Sequence, residues 1–232
     1  MNTNIIYKID EIALSNVITG QKILDFHCEN TEIIANIAKH ICQTKNWQKA
    51  YEILCHVEGW VYDTTSIKNI ENKLNHIVEK YHPNIAYTIP WQIYPYESVQ
   101  KRIENKDYKI IISNITNINT KNIKYLEASV LSKYSIHKTQ EYCYLSFIEL
   151  GLNLLSETGQ MILTIPHTFL NTKPAENMLR TLINNNLIEQ IIDKDKYLIL
   201  HIVKNREKPF WTYIHNNTPK HIPNGYYIND NI

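Results

Sequence analysis

Tyr108-Lys109-Ile110-Ile111-Ile112-Ser113-Asn114-Ile115-Thr116-Asn117 decides the fold of this chain. Its centre is an unbroken β-branched run without the alternation of a half-exposed strand, which is the pattern of a strand covered on both faces in a parallel sheet. At the end of the run stands one polar side chain, Asn114, and open α/β sheets place their chemistry beyond the carboxyl ends of such strands. The polar connection that follows, from Asn114 to about Lys138, is too long for an ordinary turn, and connections of that length are usually functional or disordered.

Working outward from the strand, the chain alternates β and α patterns. Upstream, Ile9 to Ile18 reads as an amphipathic helix ended by Gly20, and Lys22 to Phe26 as a short buried strand. Thr31 to Thr44 follows as a helix with Asn30 as its N-cap, then a helix over Trp47 to Leu54. His56 to Tyr62 and Ser66 to Tyr81 form a second βα unit. Asn84 to Ile89 is expected to be the third strand, closed by Pro90, with Trp91 to Lys106 as a packed loop. Downstream, a helix is expected over Gln140 to Leu155, a turn at Thr158-Gly159 and a strand over Gln160 to Ile165. Pro174 fits the first turn of a helix running to Asn184. Three strands close the chain, Leu187 to Ile192, Tyr197 to Val203 and Phe210 to Ile214, the last two read as an antiparallel hairpin turning through Lys204 to Pro209.

Composition narrows the function classes. At 232 residues, 44% hydrophobic and 20% charged, the chain suffices for one sizeable core. A formal charge of +1 argues against a strongly basic nucleic-acid glove. No run of 18 apolar residues and no signal-type start is present, so a cytoplasmic protein without membrane attachment is expected. Cys28, Cys42, Cys55 and Cys143 have no paired spacing and read as reduced thiols. The adjacent pairs His27-Cys28 and Cys55-His56 lack zinc-site spacing, so no metal is expected.

Parallel strands followed by terminal antiparallel ones, together with Tyr142 to Leu155 and Thr158 to Leu170, resemble the gamma-type DNA adenine-N6 methyltransferases of restriction–modification systems over roughly residues 8 to 215. The resemblance implies a Rossmann-like α/β methyltransferase fold: a mostly parallel twisted sheet with helices on both faces and a C-terminal antiparallel hairpin. It implies one methyltransferase-like domain over 1–215 and a C-terminal extension over 216–232. S-adenosylmethionine is the cofactor it implies, with DNA and a partner subunit as the expected partners.

Laid on the family's cofactor loop, Asp-Pro-x-Cys/Gly-Gly-x-Gly, the segment Asp25-Phe26-His27-Cys28-Glu29-Asn30-Thr31 keeps Asp25 and Cys28 but has Glu29 and Thr31 in place of glycines. Those glycines allow close backbone approach and leave helix N-terminal amides for a ligand carboxylate. A glutamate there repels such a carboxylate, whereas an acid in a first helical turn stabilises the helix dipole. The family's ribose-binding acid at the end of the second strand aligns with Val61, and Asp63 two residues on is either its substitute or a turn or N-cap residue. In the catalytic loop Asn-Pro-Pro-Tyr/Phe, Asn114 is kept, while Ile115, Thr116 and Asn117 replace the rest. The stacking face for a flipped base is thereby lost, with about 1–3 kcal/mol of binding. Asn114, which read alone is equally a strand-end capping or turn residue, and Asn117 are thus the candidate catalytic positions, and Asp25, Cys28 and Asp63 the candidate cofactor positions. Damage at three functional positions beside kept strands points to a non-catalytic relative holding no cofactor. The alternative is an active divergent enzyme using S-adenosylmethionine, completed by a second subunit. No segment reads as a target-recognition domain. Lys204, Arg206 and Lys208, with Lys194 and Lys196, form either a phosphate-contacting or a solvated turn.

Overall fold

The computed structural model describes residues 14, 18–85, 87–99, 103, 107–116, 118 and 143–226. Asn117 and most of the helix expected over Ile9 to Ile18 lie outside the described residues. The elements, in chain order, are β1 (Lys22–Asp25), α1 (Glu32–Thr44), α2 (Trp47–Leu54), β2 (Val57–Val61), α3 (Ile67–Tyr81), β3 (Gln92–Pro95) and β4 (Tyr108–Asn114). They continue with α4 (Cys143–Leu154), β5 (Leu155–Pro166), α5 (Lys173–Asn184), β6 (Ile188–Asp193), β7 (Tyr197–Val203), β8 (Phe210–His215) and β9 (Thr218–Pro223).

The strands form one sheet in the order β3-β2-β1-β4-β5-β7-β6-β8-β9. From β3 to β5 every pairing is parallel. The winding reverses between β1 and β4, so the carboxyl ends of these two strands flank the topological switch point. The isoleucine run of β4 explains the layering. Ile110 and Ile112 pack with α1, α2 and α3 on one face, and Ile111 packs with α4 and α5 on the other. This is the Rossmann-like methyltransferase arrangement, with helices on both faces.

Four expectations need correction. The third strand is Gln92–Pro95, after Pro90 rather than before it. Over Asn84 to Ile89 only Ile89 is buried among the described residues and Tyr87 is 73% exposed, so the segment anchors at its end without forming a strand, while Ile93 is buried at the sheet edge. Tyr197–Val203 and Phe210–His215 do not pair as a hairpin. Both edges of β7 are occupied, by β5 and β6, and β8 lies beyond β6 and parallel to it. The antiparallel hairpins of this region are β6–β7, turning at Lys194 to Lys196, and β8–β9. Burial decides the arrangement, because β7 has five successive buried residues and fits a central position, whereas β8 is half exposed. Asn30 does not occupy the N-cap position of α1, which falls at Thr31, although the Asn30 side chain accepts from the Glu32 amide at 3.1 Å. The turn expected at Thr158-Gly159 is a bulge within β5, where Leu155 pairs with Tyr108 and Gln160 already pairs with Ile110. A Cβ at Gly159 would meet the Tyr108 carbonyl at 2.9 Å, which requires glycine there. The sheet continues past residue 215 through β9.

Candidate cofactor and catalytic site

The site is built at the switch point. β1 ends in Asp25, which the pairing with β4 brings beside Ser113. Asp25 is 1% exposed. Its Oδ1 accepts from the His27 amide at 3.0 Å and from Ser113 Oγ at 2.8 Å, while its buried Oδ2 has no partner among the described residues. Burial pushes the Asp25 carboxyl up to about 6. The two hydrogen bonds pull against burial and the Glu29 charge adds to it. The sequence reading missed Ser113, because its link to Asp25 spans 88 residues.

The loop after β1 is packed and tied down. Phe26 is fully buried between Trp60 and Phe147, with ring centroids at 5.4 and 5.6 Å. Its carbonyl accepts from Tyr96 Oη at 2.9 Å. Burial lowers His27 to about 4, so its imidazole is neutral at pH 7. Cys28 turns into the other core, against β2, where a Cβ on Gly59 would sit 2.5 Å from its Sγ. Cys28 and Gly59 are therefore complementary packing partners. Gly59→Ala is expected to cost roughly 1–3 kcal/mol in urea denaturation, and Cys28→Ala in the same chain to restore much of the loss. An equal loss in both backgrounds would show that Cys28 is not what Gly59 makes room for.

Glu29 departs from the helix-dipole expectation. Its Oε1 accepts from the amides of Tyr62 and Asp63, the latter at 3.3 Å, and its Oε2 from Ser66 Oγ at 3.2 Å. A carboxylate from the loop after β1 thus occupies the amides at the end of β2, and it joins the two loops that face the switch point. Burial raises the Glu29 carboxyl above its ordinary value, the Asp63 charge adds to this, and the three donors offset it only in part. Next to it Thr31 adopts φ 57°, ψ −4°, a left-handed conformation that costs a β-branched residue roughly 1–2 kcal/mol. Its hydroxyl donates to the Asn30 carbonyl at 2.6 Å and accepts from Lys73 Nζ at 2.6 Å. Lys73 and Ser66 carry no local sequence signal for these roles, since they come from α3 and from the turn before it.

The remaining candidates satisfy themselves locally. Asp63 caps the short 3-10 turn Thr64–Ser66, accepting from the Thr65 amide at 2.9 Å and the Thr65 hydroxyl at 2.7 Å. Asn114 Oδ1 accepts from the amide and hydroxyl of Thr116, at 3.2 and 2.7 Å, as a local turn. Ile115 donates its amide to the Thr164 carbonyl at 2.9 Å and is 1% exposed. A proline at 115 has no such proton to give, so Ile115 adds a rung to the sheet at the point where the family's loop leaves it. The basic turn is also used internally. Arg206 and Lys208 bond to Glu189, and Lys204 Nζ donates to the Leu155 carbonyl at 2.8 Å. Among the described residues no helix is long and apolar enough to cross a membrane.

The family model of the Eco57I restriction-modification methylases matches residues 6–199. No curated protein matches the sequence. Among solved structures, the type I restriction-modification methyltransferase subunit from Streptococcus thermophilus is similar at 12% identity and TM-score 0.63, over 96% of this chain and 49% of that one. A putative class I S-adenosylmethionine-dependent methyltransferase from Listeria monocytogenes is similar at 14% identity and TM-score 0.57, over 93% and 64%. The ATP-dependent type ISP restriction-modification enzyme LlaBIII, bound to DNA, is similar at 9% identity and TM-score 0.61, over 83% and 17%. At these identities the likeness shows the fold alone, and the chain spans less than two thirds of each of these structures. Matched over most of its length, this chain belongs to the Eco57I restriction-modification methylase family.

Proposed function

We propose that this chain is a cytoplasmic, non-catalytic member of its family: a methyltransferase scaffold that works as a partner subunit or in association with DNA. The observation that carries the reading is the Glu29 carboxylate on the Tyr62 and Asp63 amides and the Ser66 hydroxyl. The resemblance puts a glycine at position 29, beside the bound methionine carboxylate of S-adenosylmethionine. A second carboxylate, held there by the Tyr62 and Asp63 amides and the Ser66 hydroxyl, repels that group. The side chain of Thr31, hydrogen-bonded to Lys73, fills the second glycine position. On this reading the residues present do not fit the cofactor, and no methyl transfer runs through Asn114. The DNA-bound state of LlaBIII supports DNA association as one of the two roles.

The other reading is an active, divergent DNA adenine-N6 methyltransferase completed by a second subunit, with Asp25, Cys28 and Asp63 toward S-adenosylmethionine and Asn114 and Asn117 toward the target amine. The backbone at Thr31 favours it, because it keeps the left-handed conformation that glycine adopts freely. Calorimetric titration of the purified chain with S-adenosylmethionine separates the two. The expected result is no binding at micromolar cofactor; ordinary micromolar affinity would overturn the non-catalytic reading.

A further inference from the structure

A second cluster at the carboxyl edge of the sheet lies apart from the switch point. β6 ends at Asp193, and β8 runs parallel to it with His215 paired in register opposite Asp193. The turn into β7 carries Asp195, held at φ 58°, back over the same strand end, with its amide on Asp193 Oδ1 at 3.0 Å. One ligand atom from each of Asp193, Asp195 and His215 lies within 4.8 Å of the other two. Strand pairing, and not surface chance, puts an imidazole beside a buried carboxylate. We propose that Asp193, Asp195 and His215 bind a first-row divalent cation of the zinc type.

The surroundings fit such a site. Asp193 is 6% exposed and is aimed by outer groups: Tyr213 Oη donates to its Oδ2 at 2.6 Å, and His167 Nε2 lies 3.2 Å from its Oδ1. Metal-binding carboxylates are commonly oriented by outer hydrogen bonds of this kind. The Tyr213 ring stacks parallel to His215, at 6.4 Å and 2°, and steadies the imidazole whose Nδ1 is 3.3 Å from Asp193 Oδ2. Asp195 and His215 are exposed, which leaves the other coordination positions facing water. The Lys194 ammonium reaches Asn217 at 3.4 Å, and the Asp195 carboxylate has no partner among the described residues. Closing N and O ligands onto an ion at about 2.0–2.2 Å requires only the two exposed side chains to move inward, by on the order of 1 Å. An imidazole with two carboxylates suits zinc, cobalt or manganese; magnesium and calcium prefer all-oxygen sets.

Calorimetric titration of the full chain with zinc alone tests this, with His215→Ala, Asp195→Asn and His221→Ala as separate variants. The first two change exposed side chains, so folding is not at risk. The expected result is one zinc per chain at micromolar affinity, weakened about tenfold or more by His215→Ala and by Asp195→Asn, and unchanged by His221→Ala. Cobalt should give visible absorption bands that His215→Ala abolishes. Absence of one-to-one binding, or equal affinity in the His215 and Asp195 variants, overturns the assignment. The outcome is independent of cofactor binding, because these residues touch neither Glu29 nor Asp25.

Discussion

Phe26→Ala is expected to be the most damaging single change at the switch point, costing about 3–5 kcal/mol of folding stability. The ring is fully buried and touches Trp60 from β2 and Phe147 from α4, so it joins three elements around the end of β1. A Cβ on Gly151 would lie 3.4 Å from the same ring and 2.2 Å from Met161 Sδ, so this part of the core has no slack to collapse into a cavity. The loss is therefore expected near the upper end of the range for large-to-small changes. Urea denaturation measures it. A loss below about 1 kcal/mol would mean that the loop after β1 relaxes into the vacated space, contrary to its tethering by Tyr96 and Glu29.

The second large effect concerns Asp25 and depends on pH. Its carboxyl titrates at about 6 in the fold against 3.8 ordinarily, so between those values the native state holds the proton that the unfolded chain has released. Stability due to this group is thus fully present below pH 3.8 and is lost as the pH rises through 6, on the order of 3 kcal/mol in all. The amide side chain of an Asp25→Asn variant has no charge to bury, and its carbonyl oxygen keeps both donors, the His27 amide and Ser113 Oγ. Its NH2 group takes the place of Oδ2 and brings a constant penalty of about 1–3 kcal/mol for unmet donors. The stability difference should therefore swing toward the Asp25→Asn variant by roughly 2.4 kcal/mol between pH 4 and pH 7, whatever the constant offset. His27, lowered to about 4, is common to both proteins and drops out of the difference. Parallel stability curves would show that Asp25 does not hold its proton through burial.

How much was legible follows from the range of each interaction. The β4 run, the β1 and β2 strands and the periodic helices α1, α3 and α5 were readable because period and apolarity are properties of neighbouring residues. Gln92–Pro95 was misread because Pro90 marks the start of that strand as well as it would mark the end of an earlier one. The β7–β8 hairpin was misread because a turn of six residues fits both a hairpin and a crossing over β6, and only the competition for buried positions decides between them.

In the site, the sequence by itself determined which positions depart from the family's motifs: Glu29, Thr31, and Ile115 to Asn117. It left open what those departures do. Only the tertiary structure decided that Glu29 crosses to the end of β2, that Asp63 and Asn114 turn back on Thr65 and Thr116, and that Asp193 and His215 meet. The physical reason is that a carboxylate takes whichever donors the folded chain brings within about 3 Å. Tyr62 and Ser66 come to Glu29 through the pairing of β1 with β2, a fact held in no stretch of either segment alone.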